Sequence, residues 1–515
     1  MIMSRVNPLS VVESLSGKQI FLTGVTGFLG KAILEKLLRE VPDVANIHLL
    51  VRGSNQQSAL QRCQSSVFTS SIFDTLRQHH GDQFDAFMQK KVSVVEGELT
   101  EPLFGLDTQN FSNLSSELDL IINSAASVNF REAMDQALNI NTLCLNNIIA
   151  LAKQLDEGDQ STPVLQVSTC FVNGLNRGIM REEVIDPASG LIEKLDRDTF
   201  SIEPVIQKIQ EKIDIIRSKT ENADWQEEKL IQLGIQQSRH YGWNDTYTFT
   251  KWLGEQLLIQ GLGKQNLTIL RPSIIESSLS SPTPGWVEGV KVADALIYAY
   301  AKGRVSIFPG EDSGVLDVIP VDLVANAALL SGTQLLQGQK QYRIYQCCSG
   351  MSNPVRLREF IAHIMQASKE QYEALPKLFS KKPEHTFKTV SIQKFRLYML
   401  TLTTFTWLKT SVGRLFGSKN ANDLLSKTQT TASLAMIFGF YTAARYRFDS
   451  SKLEQLQARF NLKDQKTFNA KADTFDWRTY LQKIHLPGLH RYALADKPTL
   501  AESNLVTEQQ DKQAA

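Results

Sequence analysis

No run of roughly 18 uncharged apolar residues, the length a membrane span needs, occurs anywhere in the 515 residues. The opening MIMSRVNPLSVVESLSGKQ lacks the continuous apolar stretch of a secretory signal. An excess of one charge is missing as well: 55 Lys and Arg stand against 54 Asp and Glu, a net charge of +1, and no basic block invites nucleic acid. Cysteine is sparse. Cys63, Cys144, Cys170, Cys347 and Cys348 form no C-x-x-C spacing and no set with histidine, so no metal site is expected and free thiols in a reduced, cytoplasmic compartment are. What is present is an ordinary globular composition, 42% apolar and 21% charged, too long for one core and expected to divide into two or three domains.

From residue 18 short apolar runs alternate with helical patterns. KQIFLTGV (18–25), NIHLLVRG (46–53), VSVVEGEL (92–99), LDLIINSAA (118–126), VLQVSTCFV (164–172) and LTILRPSII (267–275) read as buried parallel strands. Between them lie helix-like stretches such as GKAILEKLLREV (30–41), and this alternation predicts a doubly wound α/β sheet. Charged helical sequence over 185–240 reads as an insertion. The α/β rhythm fades near residue 370 at a Lys/Pro stretch, LFSKKPEHTFK, which reads as a linker; mainly helical sequence runs from there to about 494, and a polar tail follows. FRLYMLTLTTFTWLKTSVGRLF (395–416) is apolar but broken by Arg396, Lys409 and Arg414. A helix buried in its domain is favoured there over one lying in a membrane interface.

The turn out of the first strand carries Thr23-Gly24, Gly27 and Gly30. Glycines so placed let the backbone turn tightly and approach a pyrophosphate at the helix N-terminus. The second strand ends in Arg52 where NAD enzymes usually carry an acidic residue for the ribose 2′-hydroxyl, which favours NADPH over NADH. Glu98 reads either as an adenine neighbour or as a solvated loop carboxylate.

NSAASVNF (123–130) supplies small residues after the fourth strand, and STCFVNG (168–174) places hydroxyls at the carboxyl end of the fifth, where such sheets bind ligands. In YGWNDTYTFTKWLGEQLL (241–258) Tyr247 and Lys251 are one helical turn apart and share a face. A phenol beside an ammonium is expected to have its pKa lowered, and one unit charge at about 4 Å contributes on the order of 4 kcal/mol at an effective dielectric near 20. A Ser or Thr hydroxyl would then orient a carbonyl oxygen while Tyr supplies a proton to it. Cys170 reads as a small buried thiol rather than a nucleophile, since no base is placed beside it.

These motifs together resemble the extended short-chain dehydrogenase/reductases. GVTGFLGKAILEKLLREVPDVANIHLLVRG, INSAASVNFREAMDQALNINTLCLNN, YTFTKWLGEQLL, LRPSIIESSLSSPTPGWVEG, DVIPVDLVAN and, later, FGFYTAARYRFDSSKLEQL and FDWRTYLQKIHLPGLHRYAL are similar to the alcohol-forming fatty acyl-CoA reductases, bacterial type, over about residues 15–494. The resemblance implies a doubly wound parallel Rossmann sheet with an inserted helical segment and a mainly helical C-terminal domain. It divides the chain into a tail over 1–15, an NADPH-binding domain over 16–370, a helical domain over 371–494 and a disordered tail over 495–515. It implies Thr169, Tyr247 and Lys251 as catalytic, with Ser168 as a second hydroxyl candidate. Thr23, Gly24, Thr26, Gly27, Phe28, Leu29 and Gly30 are implied as cofactor-binding, with Arg52, Glu98 and Leu99 beyond the next two strands. Ser124, Ala125, Ala126, Tyr247, Lys251, Pro272 and Ser273 complete that set. Arg271 remains open between a place beside the nicotinamide and a structural ion pair, and Trp286 between shaping the acyl approach and packing in the core. The implied chemistry is a four-electron reduction of a long-chain acyl-CoA by two NADPH, through an aldehyde, to the alcohol used in wax esters. Peripheral membrane contact is a further expectation, from the apolar 395–416 segment and the insoluble product.

Overall fold

The computed structural model describes residues 8–153, 161–263, 265–301, 307–338, 342–379, 382, 388–415, 435–436 and 438–494. Seven strands make one parallel sheet: β1 Gln19–Thr23, β2 Asn46–Val51, β3 Val92–Glu96, β4 Leu120–Asn123, β5 Val164–Val167, β6 Leu267–Pro272 and β7 Arg343–Cys347. Their order is β7-β6-β5-β4-β1-β2-β3, so the winding direction reverses between β1 and β4. That reversal opens a crevice at the carboxyl ends of the strands, where ligands bind in such sheets. The central strands are buried along almost their whole length, which is why they read as continuous apolar runs rather than alternating ones. β7 is a seventh strand that the sequence reading does not mark: RIYQC is short, and Arg343, Tyr345 and Gln346 dilute its apolar signal.

Helix α1, Phe28–Glu40, follows the glycine turn. The charged insertion forms α2, Glu203–Arg217, and α3, Ala223–Tyr241; α3 ends at Gly242, whose φ of 105° is left-handed. Three residues later Asp245 caps α4, Thr246–Leu262, by accepting from Thr248 N–H at 2.9 Å. Helix α5, Val321–Leu336, packs across α1 and the sheet.

The C-terminal chain returns to this core. Tyr446–Phe448 pairs in parallel with Gly178–Met180, and Phe448 packs edge-on against Phe171. Tyr480 donates to Ser277 O at 2.8 Å, and His485 meets Asp294 at 2.9 Å. Ahead of the sheet, the helix Val11–Leu15 buries both its ends, and Val11 N–H donates to Asp464. The 495–515 tail and most of the Lys/Pro stretch lie outside the described residues.

Helix α6, Ile392–Leu415, departs from the expected buried domain helix. Phe395 and Met399 turn inward, but Leu397, Leu400, Phe405 and Trp407 are each more than half exposed. The inward positions recur once per turn and can bury only one side of a helix that is apolar on both. Among the described residues no helix is long and apolar enough to cross a membrane.

Candidate active site

The turn from β1 into α1 needs glycine for steric reasons. Gly24 takes φ +72°, and a Cβ there would sit 2.7 Å from Ala125 N; one at Gly30 would sit 2.2 Å from the Gly24 carbonyl oxygen. Gly27 caps α1 without any side-chain bond, which leaves the first-turn N–H groups and the positive helix end for an anion. Thr23 fixes the neighbouring loop: its hydroxyl bonds the Asn123 side chain and accepts from Ala125 N, while Ser124 Oγ donates to Thr23 O at 2.7 Å.

A cleft of about 310 Å³ opens on this turn. Of the residues assigned to cofactor binding it is lined by Thr23, Gly24, Thr26, Gly27, Arg52, Glu98, Leu99, Ser124, Ala125 and Ala126. Phe28 and Leu29 are not in its wall: the Phe28 ring stacks on Trp286 at 5.0 Å with Lys291 Nζ 4.2 Å from its centroid, and Leu29 packs on the core. Trp286 is buried, which favours the packing reading of that residue. Arg52 pairs with Glu98 at 3.2 Å, so the Glu98 carboxylate is an ion-pair partner at the mouth of the cleft. Arg62 shares the cleft and donates to Arg52 O at 3.1 Å; burial and the Arg52 charge hold its pKa below the usual value. Sequence reasoning missed Arg62 because it lies ten residues beyond Arg52, past a polar loop. The glycine cradle, the uncapped helix end and the paired guanidiniums fit a dinucleotide.

Beside the cleft stands the hydroxyl set. Tyr247 in α4 hydrogen-bonds Thr169, which follows β5, caps the short turn Cys170–Asn173 and lies 3.5 Å from Pro272 O. Ser168 is also buried, but its Oγ has no hydrogen-bond partner among the described residues, so the structure brings Thr169 rather than Ser168 to the phenol. Asn141 ties α4 to the small-residue loop, donating to Thr250 Oγ1 at 3.1 Å and accepting from Ser127 N at 3.0 Å.

The expected lowering of the Tyr247 pKa is not found in this geometry. Burial pushes the phenol well above its ordinary range, the nearby Asp245 carboxyl pushes it further, and the Thr169 bond only partly opposes them. Lys251 does not compensate, because its ammonium donates to Val167 O at 2.8 Å instead. Burial pulls Lys251 itself down to about 8.

Arg271 resolves as an ion pair. It is fully buried, with bonds to both Glu255 oxygens at 2.9 and 2.6 Å and a third to Glu183 O, and it clamps β6 to α4. Pro272 and Ser273 lie beneath Thr169, Ser273 N–H donating to Cys347 O. Cys170 donates to Arg271 O and burial pushes its thiol up, which is the inert reading of that cysteine.

Comparison with known proteins bears on this arrangement. Residues 22–328 match the NAD-binding profile described as Male sterility protein, and residues 401–496 match a second profile, Sterile, of the same description. The chain belongs to the male sterility protein family of fatty acyl-CoA reductases. It is 30% identical to Fatty acyl-CoA reductase 2, chloroplastic, of Arabidopsis thaliana, over 94% of this chain and 80% of that one. It is equally 30% identical to the Alcohol-forming fatty acyl-CoA reductase of Simmondsia chinensis, over 94% and 99%. Among solved structures, the terminal R domain of the myxalamid PKS-NRPS biosynthetic pathway shares the fold, with a TM-score of 0.57 at 19% identity over 92% of this chain and 90% of that domain. Membership makes the chain an oxidoreductase with a nicotinamide cofactor. Besides Arg62, two side chains packed around Tyr247 were invisible to motif reading: Asp245, which reads as an ordinary cap, and Tyr441, which donates to Asp245 at 2.6 Å from 196 residues away.

Proposed function

We propose that the protein reduces long-chain fatty acyl-CoA with NADPH to the primary alcohol, through the aldehyde and with release of CoA, as wax ester synthesis requires. The observation that carries this reading is the Thr169–Tyr247 hydrogen bond at the carboxyl end of β5, with buried Lys251 one turn along α4. The names of the relatives support the substrate class, and the Arg52 and Arg62 guanidiniums in the cleft support a 2′-phosphate, hence NADPH. A bound reduced nicotinamide supplies the hydride for each of the two reductions.

The chain's own groups do the rest. The Thr169 and Tyr247 hydroxyls would both donate to the thioester oxygen, where negative charge grows as the carbonyl carbon becomes tetrahedral. Collapse of the thiohemiacetal breaks the C–S bond, releases CoA thiolate and leaves the aldehyde. In the second reduction Tyr247 gives its proton to the aldehyde oxygen. A raised phenol pKa suits this role, because the donor is fully protonated at neutral pH. Lys251 would exchange its bond with Val167 O for the ribose hydroxyls, and its positive charge then offsets the phenolate left behind. In sum one acyl-CoA, two NADPH and two protons give one alcohol, one CoA and two NADP⁺.

Product analysis with decanoyl-CoA tests the reading. Two NADPH consumed per CoA released, with decanol as product and NADPH preferred to NADH in kcat/KM, is the expected result. One NADPH per CoA with decanal accumulating would replace it with a reductase that stops at the aldehyde.

A further inference from the structure

Three ionisable side chains outside the reductase site meet in the interior. Glu276 ends the strand Ile274–Glu276, Asp294 lies in the first turn of the helix Val292–Ala301, and His485 belongs to the C-terminal turn Tyr480–His485. Each is 1% exposed, and one donor atom from each, a carboxylate oxygen or a ring nitrogen, lies within 4.8 Å of the other two. No spacing along the chain announces the set, since only the fold brings the C-terminal turn to the other two. None of the three lines the nucleotide cleft.

Each side chain is held from behind, which leaves its inner atom free. Glu276 Oε1 accepts from Ala293 N–H at 3.2 Å and Asp294 Oδ2 from Lys291 N–H at 2.8 Å, so one oxygen of each carboxylate is spent on the backbone. His485 Nδ1 lies 2.9 Å from Ser277 Oγ, and the Tyr480 hydroxyl, 3.2 Å from the same Oγ, donates to Ser277 O at 2.8 Å. All of these bonds are satisfied when Ser277 Oγ donates to Tyr480 and Nδ1 carries the ring proton, an assignment that turns the Nε2 lone pair inward. Nε2 then faces Asp294 Oδ1 at 2.9 Å, and the fully buried Glu276 Oε2 has no hydrogen-bond partner among the described residues. Burial and the Asp294 carboxyl push the Glu276 carboxyl well above its usual range, as expected where two buried carboxylates approach without a donor between them. A second proton on His485 would answer Asp294 and leave Glu276 Oε2 bare. One divalent cation answers all three atoms and cancels both negative charges.

We infer that Glu276, Asp294 and His485 form a structural site for a divalent transition-metal ion, zinc foremost. An imidazole among the donors favours such an ion over magnesium or calcium, which take oxygen ligands. In a tetrahedral zinc site neighbouring donor atoms stand about 3.4 Å apart, so Asp294 Oδ1 and His485 Nε2 need separate by only about half an ångström from their 2.9 Å. The outer bonds to Ser277 and to the two backbone N–H groups are the contacts that orient metal ligands before the ion arrives. The bound ion pins the C-terminal turn to the segment that follows β6, a role separate from hydride transfer.

The full-length chain, expressed without a histidine tag, is incubated with Zn²⁺, desalted over chelating resin and its metal content measured by mass spectrometry. About one equivalent of zinc retained per chain is the expected result. Extraction with dipicolinate should lower the melting temperature, and Zn²⁺ should restore it where Mg²⁺ does not. Hydrogen exchange should rise on extraction at Tyr480–His485 and at Val292–Ala301. Glu276→Gln should retain at least about tenfold less zinc, with melting that no longer responds to dipicolinate. Should that variant fail to fold, Ser277→Ala keeps all three ligands and should weaken zinc binding roughly 10–100-fold in competition with a chromophoric chelator. Wild type that holds less than about a tenth of an equivalent, and whose melting dipicolinate leaves unmoved, overturns the inference and assigns the cluster to protons alone. So does a Glu276→Gln variant that keeps the metal, a Ser277→Ala variant with wild-type zinc affinity, or exchange that rises elsewhere in the chain instead.

Discussion

At Lys251 the site holds a charge that burial disfavours. An ordinary lysine keeps its proton until about 10.5, whereas in the folded chain Lys251 gives it up at about 8. Below 8 both folded and unfolded states are protonated, and the folded state bears the full desolvation cost. Between 8 and 10.5 only the unfolded state remains protonated, so the cost falls as pH rises. The shift corresponds to about 3 kcal/mol. Replacing Lys251 by Met removes the charge without orphaning its acceptor, because Gln166 Nε2 also donates to Val167 O at 2.8 Å. The expected outcome is a variant inactive on decanal yet more stable than wild type in urea unfolding at pH 7, with the difference narrowing toward pH 10. A less stable variant at pH 7 would mean that the ammonium is better compensated than its surroundings allow. Tyr247→Phe makes the complementary case, keeping stability within about 1 kcal/mol while losing at least 100-fold in the rate of decanal reduction, the usual range for a lost general acid. Near wild-type turnover would remove the phenol from the chemistry. The residues at this point were legible in the sequence, because motif spacing along one helix fixes which side chains share a face. Their ionisation was not, because it depends on burial and on what Lys251 points at.

Helix α4 is where the site meets the rest of the chain. Its first turn is held by Asp245, which accepts from Thr248 N–H and the Thr248 hydroxyl within the helix and from the Tyr441 hydroxyl across the fold. Tyr441 also packs against Phe171 and Phe130, and Phe130 meets the Tyr247 ring edge-on at 5.6 Å. The C-terminal chain therefore reaches Tyr247 through one hydrogen bond and one aromatic cluster. Tyr441→Phe keeps the rings and deletes the bond, leaving a buried carboxyl one donor short. It should cost about 1–3 kcal/mol in unfolding free energy, the range for leaving a buried polar group short of a partner. The decline should appear in kcat for decanal more than in KM for NADPH, because the glycine turn, Arg52 and Arg62 of the nucleotide cleft lie on other elements. Unchanged stability together with unchanged kcat would show the bond to be incidental. Neither partner announces this contact in the sequence: Asp before a helix is a common cap, and a tyrosine 196 residues away carries no periodic signal. Six of the seven strands were legible for the opposite reason, as parallel strands buried on both faces leave unbroken apolar runs.

Over the whole molecule, the C-terminal chain shares buried clusters with the sheet and with the segments that follow its strands. Phe448, Tyr446, Trp477, Tyr480 and Leu486 belong to the same buried cluster as Phe171, Trp243, Trp252 and Ile274. The strand Tyr446–Phe448 pairs with Gly178–Met180, Gln346 Nε2 donates to Asp449 O, and Asn326 donates to Asn469 O at 2.7 Å. Hydropathy along the chain locates where the α/β rhythm fades, but it carries no record of which surfaces are covered later by sequence a hundred residues on. A chain ended after residue 434 would keep every strand of the sheet and both glycine and Tyr-Lys motifs, yet it would expose the apolar side chains that now pack on residues 438–494. Burying one large apolar side chain is worth about 1.5–3 kcal/mol, and a whole domain is held by only about 5–15 kcal/mol, so losing several such contacts at once exceeds the margin. The truncated protein is therefore expected to aggregate or to melt without cooperativity, and to bind NADPH at least tenfold more weakly than the full chain in fluorescence titration. A monomeric truncation with a sharp thermal transition and full-length NADPH affinity would show instead that the nucleotide-binding part is an independent folding unit and that the later chain is an addition to it.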